Sequence, residues 1–197
     1  RSGCDAICLA IGASVPRALV VPGAGYENVH LAMEYLTQQN RMVAGDPQPS
    51  RNGKLISAQG TVVLVVGGGD TGSDCVGTAI RQGAKEVHQW EVLPQPPETR
   101  NPVTPWPMWP QIRLTSSSQE VGCQRRWSGL TKRIGGVETR ATEVCACEVQ
   151  WSRGRKGWEF KEQPNSEFSL KADLILLAMG FVHVQQEGIV EQLGLEL

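Results

Sequence analysis

The sequence predicts an α/β protein built around a parallel β-sheet, and three observations support this fold class. Val62–Val66 is a run of five apolar residues, mostly β-branched, as is typical of a strand buried on both faces. A glycine-rich turn and a segment with helical periodicity follow it directly. Later, several strand-like runs separated by turn residues lead into another apolar run, Ala172–Met179. We therefore expect a parallel sheet with an added antiparallel β-meander.

A strand, a helix and a loop are predicted in residues 5–54. Asp5–Ile11 is a short apolar run ended by Gly12, which indicates a buried strand. Val29–Gln38 has the apolar face of a helix. Residues 40–54 are polar and rich in Pro, Gly and Asn, so we expect a linker or an exposed loop there.

A strand, a turn, a helix and a second strand follow within residues 61–94. The helix is predicted over Asp70–Gln82, where Gly83 is a plausible stop signal. Glu86–Leu93 is predicted as the second strand.

The turn fits the pattern G-x-G-x-x-G and reads Gly67, Gly68, Gly69, Asp70, Thr71 and Gly72. In this pattern the first glycine permits the tight turn, the second lets backbone N–H groups approach a pyrophosphate, and the third allows close helix–strand packing. The helix N-terminus then offers free N–H donors and the positive end of its dipole. We predict a Rossmann-like dinucleotide-binding domain with all six residues in its site. Asp70 also suits a helix cap, and a glycine-rich turn without a ligand is the alternative.

Glu91 lies 22 residues after Gly69, at the predicted end of the second strand. An acidic residue there accepts hydrogen bonds from the adenosine ribose hydroxyls. Its carboxylate favours NADH and repels the 2′-phosphate of NADPH, and Arg100, the nearest following arginine, is nine residues away. We therefore expect a preference for NADH over NADPH. The alternative for Glu91 is a solvated charge at a strand end.

Residues 94–110 contain seven prolines in 17 residues, a density that excludes a helix or a central strand. One interpretation is an extended surface loop with Trp106 and Trp109 packed back onto the domain. The other is a docking or gating loop beside the nicotinamide. Residues 128–170 then predict the β-meander, and residues 186–197 the beginning of a helix.

Composition excludes several function classes. The net charge of −1 gives no basic field for nucleic acid or a membrane surface, and the longest apolar run is too short to span a bilayer. The six cysteines lack iron–sulfur and zinc spacings, so we expect free thiols in a reducing cytoplasm and no metal site. The three histidines are scattered, and we predict no catalytic residues.

Four stretches resemble the small (beta) subunit of glutamate synthase: GGGDTGSDCVGTAIRQGAKEV, LPQPPETRNPVTPWPMWPQ, LTKRIGG and ADLILLAMGF. The resemblance implies two Rossmann-like domains, with a nicotinamide-dinucleotide domain inserted into a flavin domain. It also implies an oxidoreductase in which electrons pass from NAD(P)H to FAD, then through iron–sulfur clusters to the large subunit. There, glutamine and 2-oxoglutarate become two glutamates. The acidic residue followed by LPQPP matches the variant of this family that suits NADH.

The resemblance further implies that this chain is part of a longer protein. Residues 1–13 would be the last strand of a flavin domain, 14–60 a connecting segment, 61–181 the NAD(P)-binding domain and 182–197 the return to the flavin domain. The FAD fingerprint and the cysteine-rich region would precede residue 1, so we expect no diaphorase activity from this chain alone. The alternatives are a related flavin and iron–sulfur NAD(P)H oxidoreductase with another electron acceptor, or a non-catalytic dinucleotide-binding fragment.

Two similar phrases stand near the two ends of the chain. CDAICLAIGA, residues 4–13, and ADLILLAMGF, residues 172–181, are identical at five of ten positions. Each is interpreted as the last strand of one of the two domains, with its carboxyl end facing a cofactor crevice. Gly180 is on this basis predicted to be a cofactor-crevice residue.

Overall fold

The computed structural model describes residues 3, 5–46, 55–100, 102, 104–108, 112–155 and 157–197. They form two compact units, Leu19–Met179 and a smaller unit of Arg1–Ala18 with Gly180–Leu197. None of the helices in these ranges is long and apolar enough to cross a membrane. The described elements are β1 (Val15–Pro16), β2 (Val29–Leu31), α1 (Ala32–Ala44), β3 (Val62–Val66), α2 (Asp70–Arg81), β4 (Glu86–Trp90), α3 (Ser117–Glu120), β5 (Cys123–Arg126), β6 (Gly129–Val137), β7 (Arg140–Gly154), β8 (Gly157–Lys171), β9 (Leu174–Leu177), β10 (Phe181–His183) and α4 (Ile189–Gln192).

The larger unit is built on a five-stranded, fully parallel sheet with the order β2-β9-β3-β4-β5. The prediction of a central parallel strand at Val62–Val66 is confirmed. So is the prediction that the second apolar run joins the same sheet, because β9 pairs with β3 from Val63↔Leu174 to Val66↔Leu177. Both β4 and β9 are shorter than the predicted segments.

Both faces of this sheet are buried, which explains why its inner strands are continuously apolar. Alternate residues point to opposite faces. Val63, Val65 and Leu176 pack with residues of α1 and α2, whereas Leu64 and Ile175 pack with the meander strands.

The predicted β-meander is confirmed as a three-stranded antiparallel sheet, β6-β7-β8. Its last strand is one long element, although two separate runs were expected around Pro164 and Asn165. The ladder skips there, with Cys147 paired to Glu167 and Val149 to Glu162. The Ser166 hydroxyl accepts a bond from the Glu148 N–H at 3.0 Å, so these residues bulge from the strand without ending it.

The helix predicted at Val29–Gln38 is wrong at both ends. Its first three residues form β2, because their backbone pairs with β9 at the edge of the sheet. The helix then continues to Ala44 and ends at Gly45, whose φ of 78° is a typical helix stop. Residues 40–44 are therefore helical, and residues 47–54 of the predicted linker lie outside the described residues.

The buried strand predicted at Asp5–Ile11 is not present in this structure. Residues 6–14 have no regular structure, and Ile7 and Ile11 are 80% and 50% exposed. An apolar strand is buried only between neighbouring strands, and none of the described segments pairs with this one. The smaller unit contains instead the antiparallel pair β1–β10 and the short helix α4, near where a helix was expected. The assignment of these residues to a flavin domain stays a prediction.

The proline-rich loop has no helix or strand in its described part, as predicted. The Arg100 guanidinium donates to the Thr104 and Met108 carbonyl oxygens at 2.8 and 2.7 Å. Trp106 is 82% exposed, so the expectation that it packs back onto the domain is wrong. Trp109 lies outside the described residues, and a docking or gating role of the loop stays a prediction.

Candidate dinucleotide-binding site

The glycine turn lies at the carboxyl edge of the sheet, directly after the central strand β3. The Gly67 N–H donates to the Trp90 carbonyl at 2.8 Å, and the Ala178 N–H donates to the Val66 carbonyl at 2.8 Å. The strand order reverses here, with β4 and β5 on one side of β3 and β9 and β2 on the other. In open α/β sheets, ligands bind in the crevice at such a switch point.

The three glycines of the motif occupy three different environments. Gly67 has a φ of 126°, and a Cβ atom there would lie 2.1 Å from the Ala178 carbonyl oxygen. A Cβ on Gly72 would lie 2.3 Å from the Gly67 carbonyl oxygen, so the helix packs on the turn only without a side chain. A Cβ on Gly69 would meet no atom within 4 Å. The first and third glycines are thus required by packing, whereas the second faces open space that a ligand could fill.

Helix α2 begins at this open space. Its N-cap is Gly69, and its first backbone bond joins the Ser73 N–H to the Gly69 carbonyl at 3.0 Å. The N–H groups of Asp70, Thr71 and Gly72 therefore have no acceptor within the helix. Asp70 is exposed in the first helical turn and does not cap the helix, because the N-cap position falls on Gly69.

Glu91 contacts the glycine turn directly. One carboxylate oxygen accepts the Gly68 N–H at 2.6 Å, and the other accepts the Leu93 N–H at 2.9 Å. Glu91 follows the last residue of β4, so the predicted position at a strand end agrees with the structure. The predicted acidic residue and the predicted phosphate turn are thus in contact.

Gly180 belongs to the smaller unit, whereas the other predicted site residues belong to the larger unit. Its φ is 81°, and a Cβ there would meet no atom within 4 Å. A role for Gly180 in a cofactor crevice stays a prediction.

The sequence reasoning missed Gln89, which also contacts the turn. Its side chain is only 2% exposed, and its Nε2 atom donates to the Gly67 carbonyl at 2.9 Å. A buried polar residue must find hydrogen-bond partners. The signal available in the sequence was a glutamine at the buried end of a predicted strand, where a polar side chain needs a nearby partner.

Two further observations concern thiols and metal ligands in the described part of the chain. Cys75 on α2 is buried, and burial raises its thiol pKa to about 12, with a further contribution from Asp74, so it remains protonated. The described cysteines Cys8, Cys75, Cys123, Cys145 and Cys147 are free, whereas Cys4 lies outside the described residues. No group of three or more His, Cys, Asp or Glu in the described part of the chain is placed to hold a metal ion.

Relatives of known name match the chain from end to end. The glutamate synthase [NADPH] small chain of Mycobacterium tuberculosis is 42% identical over 197 residues, which cover 100% of this chain and 40% of the relative. The corresponding small chain of Bacillus subtilis is 33% identical over 96% of this chain and 40% of the relative. Over its whole length, the chain is therefore similar to glutamate synthase small chains. A single longer protein, glutamate synthase [NADH] of Schizosaccharomyces pombe, is 38% identical over 93% of the chain and 9% of its own length.

This chain spans 40% of the length of the small chains that it matches. No protein-family model matches it. Among solved structures, M. tuberculosis FprA in complex with NADPH superposes with a TM-score of 0.57 at 13% identity, over 91% of this chain and 50% of FprA. An FAD-dependent pyridine nucleotide-disulphide oxidoreductase from Desulfovibrio vulgaris has a TM-score of 0.53 at 15% identity, over 92% of this chain and 37% of that one. The predicted α/β fold class is confirmed by these similarities.

Proposed function

We propose that this chain is the part of a glutamate synthase small chain that binds NAD(P)H, with NADH preferred over NADPH. The observation that carries the proposal is the open space at Gly69, where α2 begins, with Glu91 bonded to the neighbouring Gly68. The helix N–H groups suit a pyrophosphate, and the Glu91 carboxylate suits ribose hydroxyls. When bound, the dinucleotide supplies the hydride that reduces FAD.

The longer protein would use this module as an NAD(P)H-dependent glutamate synthase small subunit. FAD and iron–sulfur clusters would be held by other parts of that protein, and the large subunit would convert glutamine and 2-oxoglutarate to two glutamates. The S. pombe relative supports a physical link between these parts, because one chain there includes the matching segment. We also place the protein in the cytoplasm, since free thiols persist in a reducing compartment.

The preference for NADH rests on the Glu91 charge. A 2′-phosphate brought to the ribose position would face this carboxylate and be repelled. Some relatives are named for NADPH and others for NADH, so their names do not favour either cofactor. The preference for NADH is therefore argued from the charge at position 91.

Isothermal titration calorimetry, with NADH or NADPH added to the purified 197-residue chain, tests the proposal by measuring both dissociation constants. We expect saturable NADH binding and weaker NADPH binding, whereas NADPH binding about tenfold tighter than NADH would contradict the interpretation of Glu91. The flavin-free chain should reduce no dye with NADH. Dye turnover would overturn the view that FAD held elsewhere is required.

A further inference from the structure

A chain of three hydrogen bonds, two of them buried, links α3 to the glycine turn. The Gln119 Oε1 atom accepts the Ser116 N–H at 3.0 Å, and its Nε2 atom donates to the Gln89 Oε1 atom at 2.8 Å. The Gln89 Nε2 atom donates in turn to the Gly67 carbonyl at 2.9 Å. Gln89 and Gln119 are 2% and 6% exposed. We call the bonds that run from Ser116 through Gln119 and Gln89 to Gly67 the relay. Because each side-chain amide in it donates through its nitrogen and accepts through its oxygen, all its bonds run in one direction.

The relay ends on the peptide group that defines the turn. The carbonyl of Gly67 is held by Gln89, and the N–H of the same peptide group, on Gly68, is held by Glu91. Both side chains come from the end of β4, so one strand fixes both sides of a single peptide plane. A Cβ on Gly72 would lie 2.8 Å from the Gln89 Nε2 atom, so the third glycine also leaves room for this bond.

We propose that Gln89 and Gln119 are positioning residues for the dinucleotide. They hold the Gly67–Gly68 peptide group in the orientation that keeps Glu91 and the N-terminus of α2 correctly spaced for the ribose and the pyrophosphate. The segment around α3, which carries no recognisable cofactor motif, thereby takes part in cofactor binding. This inference rests on the proposed function, because it concerns the same site.

Substitution by methionine tests the relay, with a matched control at Gln38. The Gln38 amide is also buried, at 6% exposure, and makes two bonds to the Ile56 backbone at 2.8 and 2.9 Å. Gln38 has no bond to the turn, so Gln38→Met should lower stability without affecting the site. Kd for NADH is measured by titration on Gln89→Met, Gln119→Met and Gln38→Met, at a temperature where all three are folded.

We expect both relay variants to weaken NADH binding about fivefold or more and Gln38→Met to change it less than about twofold. The double variant Gln89→Met/Gln119→Met should regain part of the stability lost in the single variants, because no unpaired side-chain amide remains, but it should not regain the affinity. Relay variants that bind NADH like the unaltered chain would overturn the inference, as would an equal loss in Gln38→Met. If the unaltered chain itself does not bind NADH, the proposed function fails, which is a different result.

A second variant avoids any change of volume. In Gln119→Glu, the introduced carboxylate is ionised at about pH 8 and cannot donate to the Gln89 Oε1 atom, so this bond of the relay is lost. Burial raises the pKa of such a carboxyl, and its protonated form can donate again. NADH affinity of this variant should therefore recover as the pH falls toward about 6, relative to the unaltered chain. An affinity deficit that stays constant with pH, or no deficit at all, would count against the relay.

Discussion

The Glu91 carboxylate accepts a hydrogen bond from the Gly68 backbone N–H at 2.6 Å. This contact joins the residue expected to select the cofactor to the turn expected to bind its pyrophosphate. The other carboxylate oxygen accepts the Leu93 N–H, and each oxygen retains a lone pair for a ribose hydroxyl. Under the proposed function, Glu91 would therefore have two separable effects, one on the shape of the turn and one on the choice between NADH and NADPH.

Glu91→Gln and Glu91→Ala should separate these two effects. In Glu91→Gln the amide oxygen still accepts the Gly68 N–H, the bond from the Leu93 N–H is lost because an amide NH2 cannot accept it, and the charge that repels a 2′-phosphate is gone. The ratio of the NADPH and NADH dissociation constants should fall about fivefold or more, since such a repulsion is worth about 1 kcal/mol in water. In Glu91→Ala the turn also loses its tether, so NADH binding itself should weaken by about tenfold.

The control for this pair is Glu98→Gln. Glu98 is an exposed carboxylate that forms an ion pair with Arg113 at 3.8 Å, so Glu98→Gln changes the net charge by the same amount as Glu91→Gln without altering the turn. A ratio that falls as much in Glu98→Gln as in Glu91→Gln would mean that selection is a long-range charge effect.

Alanine at the first and second glycines of the motif should give opposite outcomes. Gly69→Ala places a methyl group in open space at an ordinary φ of −79°, so the free energy of unfolding should fall by less than about 1 kcal/mol. The same methyl group occupies the space that a pyrophosphate would approach, so NADH affinity should fall by about tenfold or more.

Gly67→Ala should instead lower the stability of the folded chain. The new Cβ would lie 2.1 Å from the Ala178 carbonyl at a φ of 126°, and a loss of at least about 2 kcal/mol is expected. Urea unfolding and NADH titration of both variants check this contrast. A Gly69→Ala chain that unfolds early, or that binds NADH normally, would contradict the open-space assignment.

The local order of strand, turn and helix at Val62–Arg81 was predictable because the motif specifies its own geometry. The glycine spacing, the apolar strand and the helix periodicity all indicate the same structure, and Glu91 follows from a fixed distance along the chain. Gln89 was not predictable as a contact of the turn, because its partner Gln119 comes from α3, whose four residues have no periodicity to reveal a helix.

Errors occurred where tertiary pairing overrides local pattern. Val29–Leu31 has the apolar spacing of a helix, yet its backbone pairs with β9, which lies far along the chain. Asp5–Ile11 has the composition of a buried strand but lacks a described neighbour to pair with. In both cases the outcome depends on a partner strand that the local sequence does not identify.

Asn28 is predicted to be a major source of stability for the larger unit. Its side chain is 4% exposed and bonds both the N–H and the carbonyl of Ala141, at 2.7 and 2.9 Å, and the Asp173 carbonyl at 2.8 Å. It thereby connects the start of β7 with the residue before β9. Asn28→Ala would leave three backbone groups unpaired, and the free energy of unfolding should fall by about 3 kcal/mol.

Urea unfolding of Asn28→Ala beside Asn40→Ala provides the measurement. Asn40 is exposed on α1, so its replacement should change stability by no more than about 0.5 kcal/mol. Equal effects of the two substitutions would show that the bonds of Asn28 contribute nothing specific.

Alkaline pH should destabilise the larger unit through buried acids. Burial raises the pKa of Cys75 to about 12, and burial also raises the pKa of Tyr35, whose hydroxyl donates to Gln82 Oε1 at 3.0 Å. The folded chain therefore keeps these protons after the unfolded chain has lost them, from about pH 8.5 for a thiol and about pH 10 for a phenol. Stability should be fully present below about pH 8 and should decline as the pH rises, by about 1.4 kcal/mol per pH unit for each group.

Urea midpoints between about pH 8 and pH 10 measure this decline, where the thiols dominate. Cys75→Val should reduce the slope of the unfolding free energy against pH by the contribution of about one proton. Cys123, whose pKa burial raises to about 11, should still contribute to that slope. Replacement of the exposed Cys8 by valine is the matched control. A Cys75→Val slope equal to that of the unaltered chain would show that the Cys75 thiol ionises without unfolding, and hence that its surroundings on α2 admit water.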